Sequence, residues 1–156
     1  MSMKYMTMML GPVMTNCYIV YDSETKDAMV VDPAWDYDKI NQALEDHQLH
    51  LNYNFQTHGH ADHIGALQEL RNRKNVPVYI GEGDKDLISN SRNNLSLFMG
   101  HPIECASPDY IAHEGDTITL AICPLRSLKR RAIRRAGLCL YGEASSFPAT
   151  PCSATP

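Results

Sequence analysis

Seven consecutive residues, Thr57-His58-Gly59-His60-Ala61-Asp62-His63, restrict what this chain can become more than any other stretch of it. Three imidazoles and one carboxylate occupy four of the six positions from His58 to His63. Donors of that mixture suit Zn, Fe or Mn. Before the cluster, Leu51 to Thr57 alternates in the manner of a strand. After it, Ile64, Leu67 and Leu70 keep helical spacing until the charged run Arg71-Asn72-Arg73-Lys74. A helix is therefore predicted to begin at Asp62 or His63, and the cluster falls on a strand-to-helix loop. In extended backbone, side chains two apart point the same way, so His58 and His60 are placed to grip one ion. Asp62 and His63, at the turn into the helix, point elsewhere and suit a second ion. Gly59 lets the backbone turn closely around the metals. A chance gathering of surface histidines would not also close a strand and open a helix.

The residues around this loop predict alternating strands and helices over 1–120. Cys17 to Tyr21 and Ala28 to Val31 form a hairpin pattern through the polar turn Asp22 to Asp27. Asp36 or Asp38 is placed to cap a helix carrying Ile40, Ala43 and Leu44 and ending near His47. Val76 to Ile80 predicts a strand, Glu82 to Ser89 a short helix and Ser89 to Gly100 a polar loop. Tyr110 to Leu120 predicts a second hairpin, turning at Glu114-Gly115-Asp116. His47, His50, His101 and His113 stand alone and are read as surface or packing histidines.

Composition narrows the class. With 156 residues, 44% hydrophobic and 21% charged, the chain suits one domain with a real core. No signal-length apolar run follows the N-terminus, and no stretch approaches the roughly 20 apolar residues of a membrane span, so a cytoplasmic protein without membrane contact is expected. Five cysteines without C-x-x-C spacing indicate neither a disulfide framework nor a thiolate zinc site. The net charge of −4 hides an asymmetry: residues 1–120 hold 8 of the 14 Lys and Arg and 17 of the 18 Asp and Glu. The acidic part gives way to a basic one near Ala121. We therefore divide the chain into residues 1–121 and an irregular, basic, Ser/Ala/Pro-rich tail, 122–156, in which periodicity is lost from Pro124 onward. Arg126 to Arg135 lacks the interleaved aromatics of a nucleic-acid site, and none is expected.

The segment "THGHADHIGAL", Thr57 to Leu67, resembles the first metal-binding motif of the metallo-β-lactamase superfamily, and most of all its glyoxalase II (hydroxyacylglutathione hydrolase) branch. "GPVMTNCYIV", Gly11 to Val20, resembles the opening hairpin of that branch, and "VVDPA", Val30 to Ala34, the strand that ends in an aspartate beneath the metals. The resemblance covers about residues 1–120. It implies an α/β fold, the αββα sandwich, of which this chain carries the N-terminal half. It also implies two divalent ions, zinc foremost with iron or manganese as alternatives. His58 and His60 would bind the first and Asp62 and His63 the second, with Asp32 holding the loop. The implied reaction is hydrolysis of a small-molecule thioester or ester by a metal-bound hydroxide, which Asp62, as the catalytic residue, orients. No Ser-His-Asp or Cys-His constellation competes for the role. Nothing in the sequence sets the substrate or the oligomeric state.

The resemblance breaks after Leu120. The family supplies a third histidine in a "TPGHTPG" type segment, a bridging aspartate in a "GDT" type segment and a later histidine. This chain has no histidine after His113. Read one base earlier, the codons of Arg126 to Gly137 permit VIETPGHTPGG and those of Ser146 to Ser153 permit FSGDTLF, in the family's order and in one frame. A frameshift near Ala121 to Cys123 is inferred. Such a chain would leave the second sheet unbuilt, and the alternative to an active hydrolase is an incomplete protein that binds metal weakly or not at all.

Overall fold

The computed structural model describes residues 3–120 in full and the backbone of 123–129 and 138–142. Six strands form the first sheet in chain order: β1 (Met3–Leu10), β2 (Thr15–Asp22), β3 (Asp27–Val31), β4 (His50–Gln56), β5 (Val78–Gly81) and β6 (Tyr110–Ala112). The first three pair antiparallel and the last three add in parallel. Helix α1 (Tyr37–Asp46) makes the β3-to-β4 crossover, and α2 (Ala61–Ile64) with α3 (Leu67–Lys74) makes the next one. Parallel neighbours require such crossovers, and these cover the sheet's outer face.

The hairpin expected between 17 and 31 is β2–β3. Its turn is held by buried Asp22, whose Oδ1 accepts the Glu24 and Thr25 N–H groups at 2.7 and 3.2 Å. β1, which the sequence reading did not identify, precedes it and turns through Gly11 at φ +76°. A Cβ there would lie 1.9 Å from the Trp35 ring, so glycine alone fits. α1 buries Ile40 and Leu44 as its spacing predicts, with Ala43 half-buried and Tyr37 added at its first turn; Asp36 sits at its N-cap in a left-handed conformation, without a side-chain capping bond.

The helix expected to run unbroken from Asp62 to Lys74 is interrupted at Gly65–Ala66. A Cβ on Gly65 would lie 1.9 Å from the Ala34 carbonyl, and the Ala66 N–H donates to the Pro33 carbonyl at 2.9 Å. Close approach of the end of β3 thus takes a bond that a continuous helix would have used. The predicted helix from Glu82 to Ser89 is only a 3-10 turn over Glu82–Asp84, and the expected loop contains another over Ser96–Met99.

The second predicted hairpin is not one. β6 joins the first sheet, whereas β7 (Thr117–Leu120) opens a second sheet with β8 (Cys123–Lys129) and β9 (Leu138–Gly142), in the order β7-β8-β9. Ile118 and Leu120 turn inward onto Met3, Val20, Met29, Val31, Phe55 and Ala112, forming the core between the sheets. Burial of that alternating pair outweighs pairing with β6. The expectation that 122–156 is irregular and leaves the second sheet unbuilt is corrected at β8 and β9, which pair antiparallel with β7 and with each other. Ladder hydrogen bonds are made by backbone, so a segment without hydrophobic periodicity still satisfies the open edge of β7. The other residues of the tail, including most of those carrying the shifted-frame motifs, lie outside the described residues.

On the outer face, Leu10, Cys17, Ile19, Ala28 and Val30 pack beneath α1 and α3, and Val78, Ile80 and Ile88 pack with Ile64 and Leu67. Among the described residues no helix is long and apolar enough to cross a membrane.

Candidate metal centre

β4 ends at Gln56, and the next four residues, Thr57 to His60, lead from the end of that strand into α2, whose first turn carries Asp62 and His63. Two carboxylates gather them. Asp32, at the end of β3 and at φ +51°, accepts the Thr57 N–H on Oδ1 at 2.8 Å. Its Oδ2 accepts the Thr57 hydroxyl at 2.5 Å and faces His63 Nδ1 at 2.9 Å. Asp62 Oδ2 takes the Thr15 hydroxyl at 3.0 Å and lies 3.2 Å from His63 Nε2. His63 is therefore bridged between the two acids.

The histidines lie side by side. The His58 ring is 3.7 Å from that of His63 and 5.1 Å from that of His60, centre to centre. Donor atoms of Asp32, His58 and His63 come within 4.8 Å of one another, a grouping of three that His60 and Asp62 do not enter. This grouping joins His58 and His63, which the sequence reading assigned to different ions, and brings in Asp32, which that reading gave only the task of holding the loop. Thr15 and Thr57 were not anticipated, because a lone hydroxyl in a strand carries no sequence signal of a partner far along the chain. Gly59 serves a different neighbour from the one expected. A Cβ there would lie 2.7 Å from Leu87 Cβ and 3.2 Å from the Asp84 carbonyl, so its small size admits the segment after β5.

Electrostatics make the cluster receptive to a cation. Burial holds His58 down to a pKa of about 4, reinforced by charge on His63, and this keeps the ring neutral with a free lone pair. Burial also pulls His63 down, but hydrogen bonds to Asp32 and Asp62 overcome it and raise the ring to about 10. Burial would raise Asp62, yet the His63 and Thr15 hydrogen bonds bring its carboxyl to about 2. Imidazole nitrogens and carboxylate oxygens gathered in this way are donors that suit a divalent ion, which would displace the proton of His63 on binding, so the residues fit one. A cleft of about 400 Å³ opens between the β1–β2 turn and the start of α1, lined by Met9, Pro12, Met14, Trp35, Asp36 and Lys39.

Comparison with known proteins gives a consistent picture. A family model described as the metallo-beta-lactamase superfamily matches residues 10–122. The probable metallo-hydrolase YqgX of Bacillus subtilis is 31% identical over 115 residues, 73% of this chain and 53% of the relative. The hydroxyacylglutathione hydrolase GloC of Haemophilus influenzae is 31% identical over 107 residues, 67% of this chain and 50% of the relative. This chain therefore spans about half the length of these relatives. Among solved structures, the BLEG-1 B3 metallo-beta-lactamase superposes with a TM-score of 0.81 at 26% identity, over 89% of this chain and 67% of that one.

Proposed function

This chain belongs to the metallo-beta-lactamase superfamily, and on that premise we propose that the loop from His58 to His63 holds divalent metal for thioester hydrolysis of the hydroxyacylglutathione kind. The observation that carries this reading is the convergence of Asp32, His58 and His63 donor atoms within 4.8 Å at the end of β4. The similarity to GloC supports the thioester, and the nitrogen and oxygen donors support zinc, with iron or manganese as alternatives. His58, His60, Asp62 and His63 would be the ligands. A pair of divalent ions bound there would make hydroxide available from water at neutral pH and polarise the carbonyl it attacks. The chain's own residues do the positioning. Asp32 fixes the orientation of His63 and, through Thr57, the start of the loop. Thr15 donates to the carboxylate of Asp62 and holds it, and Asp62 would orient the attacking oxygen.

A second reading is favoured by one sequence observation, that no histidine follows His113. A catalytic zinc usually takes three protein ligands and a water, and the loop offers two residues to each of two ions. In this reading the chain binds metal weakly and turns over little. Metal content and thioester hydrolysis, measured on this chain, on His58→Ala and on a frame-restored protein, separate the two. Full activity here that is lost in His58→Ala supports the hydrolase. Weak binding here with tight binding in the frame-restored protein supports the incomplete one. Strong metal binding untouched by His58→Ala would sink the site.

A further inference from the structure

Asp32 holds the start of the metal loop through Thr57, and Thr15 holds Asp62 by its carboxylate. At the outer end, between His60 and Asp62, the Ala61 N–H donates to the Asn94 carbonyl at 2.9 Å. His60 caps α2 without a side-chain bond, and Ala61 is buried. The Asn94 carbonyl therefore satisfies a helix-start donor that has no partner within α2.

A carbonyl alone would not single out Asn94; its side chain does. The side chain is fully buried, and both ends of its amide are used. Nδ2 donates to the Ile103 carbonyl and Oδ1 accepts the Ser96 N–H, each at 2.9 Å, while the Asn94 N–H donates to the Asn90 carbonyl at 3.0 Å. Ser96 Oγ accepts the Ile103 N–H at 2.8 Å and closes the same ring of contacts. Between them Leu95 is held at φ +73°, a left-handed conformation that a leucine adopts only where its surroundings impose it. The segment from Asn90 to Ile103 is thus folded around one amide, and the product of that folding is a carbonyl aimed at Ala61.

We propose that Asn94 is a positioning residue for the metal loop. Acting through Ala61, it fixes the turn that sets His60 and Asp62 relative to each other, as Asp32 fixes Thr57 and His63 from the other side. This role rests on the reading of the loop as a metal site. The geometry also says why the residue is asparagine. Leucine fills the volume but makes neither side-chain bond, and aspartate keeps the acceptor for Ser96 but loses the donor to Ile103 and buries a charge.

Two measurements test it, one of them without metal. In the metal-free chain the Ala61 amide should be protected from hydrogen exchange, and Asn94→Leu or Asn94→Asp should speed its exchange by about 10-fold or more. In a Co²⁺ titration followed by visible absorption, the same variants should weaken binding about 10-fold, the scale on which residues that orient metal ligands act. Leu44→Ala, a core truncation under α1, is the control for lost stability and should leave the Co²⁺ affinity within about two-fold. The proposal is overturned if Ala61 exchanges freely in the unsubstituted chain, if a folded Asn94 variant leaves that exchange unchanged, or if Leu44→Ala weakens Co²⁺ as much. Asn94→Asp keeps the side-chain size and serves where Asn94→Leu does not fold. If the unsubstituted chain binds no Co²⁺, the metal reading fails, while Ala61 exchange still decides the clamp.

Discussion

His58 and His63 touch, yet their surroundings drive them to opposite charge states, and a pH profile exposes this. His63, raised from 6.5 to about 10, stabilises the metal-free fold fully below about pH 6.5, and that contribution is lost as pH rises through 10. His58, lowered to about 4, stays neutral in the fold, so stability falls as pH drops below 6.5 and the unfolded chain takes up the proton first. The two limbs meet, and thermal unfolding in a chelator should show greatest stability near pH 6.5. His63→Gln should flatten the alkaline limb and make the acid limb shallower, because charge on His63 reinforces the depression of His58; an unchanged alkaline limb would refute the bridge between the two acids. Thr15→Val should act on Asp62. Losing the 3.0 Å hydroxyl bond frees the carboxylate, and metal affinity should fall by about 10-fold with little change in unfolding midpoint. Equal affinity in the two proteins would show that the hydroxyl is incidental.

Among the elements, β4 carries an internal conflict. Phe55 packs into the core between the sheets, but Asn54 and Gln56 on the opposite face are fully buried, and their amide atoms have no hydrogen-bond partner among the described residues. Their ladder neighbours Val78 and Ile80 are apolar. A buried amide without partners costs about 1–3 kcal/mol, so Gln56→Leu, close in volume, should raise the unfolding free energy by about that much in denaturant titration. A loss of stability would mean that the amide is satisfied in solution. Gly65 presents the reverse case. Gly65→Ala would drive a methyl into the Ala34 carbonyl and push α2 away from the end of β3, so despite alanine's better helix propensity it should destabilise by about 1–3 kcal/mol.

The whole molecule depends on how its two sheets meet. Leu120 is fully buried and, with Ile118, joins β7 to the inner face of the first sheet. Leu120→Ala should cost about 2–5 kcal/mol in chemical unfolding, as large-to-small core changes do. A cost below about 1 kcal/mol would mean that the second sheet contributes little to the core.

What the sequence determined by itself was local. The strand-to-helix setting of His58 to His63, the β2–β3 hairpin and α1 follow from periodicity and turn residues, because side-chain spacing at 2 or 3.6 residues records which face of an element is buried. Membership of the superfamily was legible in the same stretch, since the ligand types and their spacing are contiguous. Tertiary structure alone decided the partners. Asp62 finds Thr15 47 residues away and Thr57 finds Asp32 25 residues away, and nothing in either residue's neighbourhood encodes the other. The same holds for the break at Gly65, set by the Ala34 carbonyl, and for β6 and β7, whose alternation suits a hairpin equally well until packing sends them to different sheets. β8 and β9 show the limit most plainly, because a backbone ladder needs an open edge rather than a hydrophobic pattern, and only the assembled β7 provides that edge.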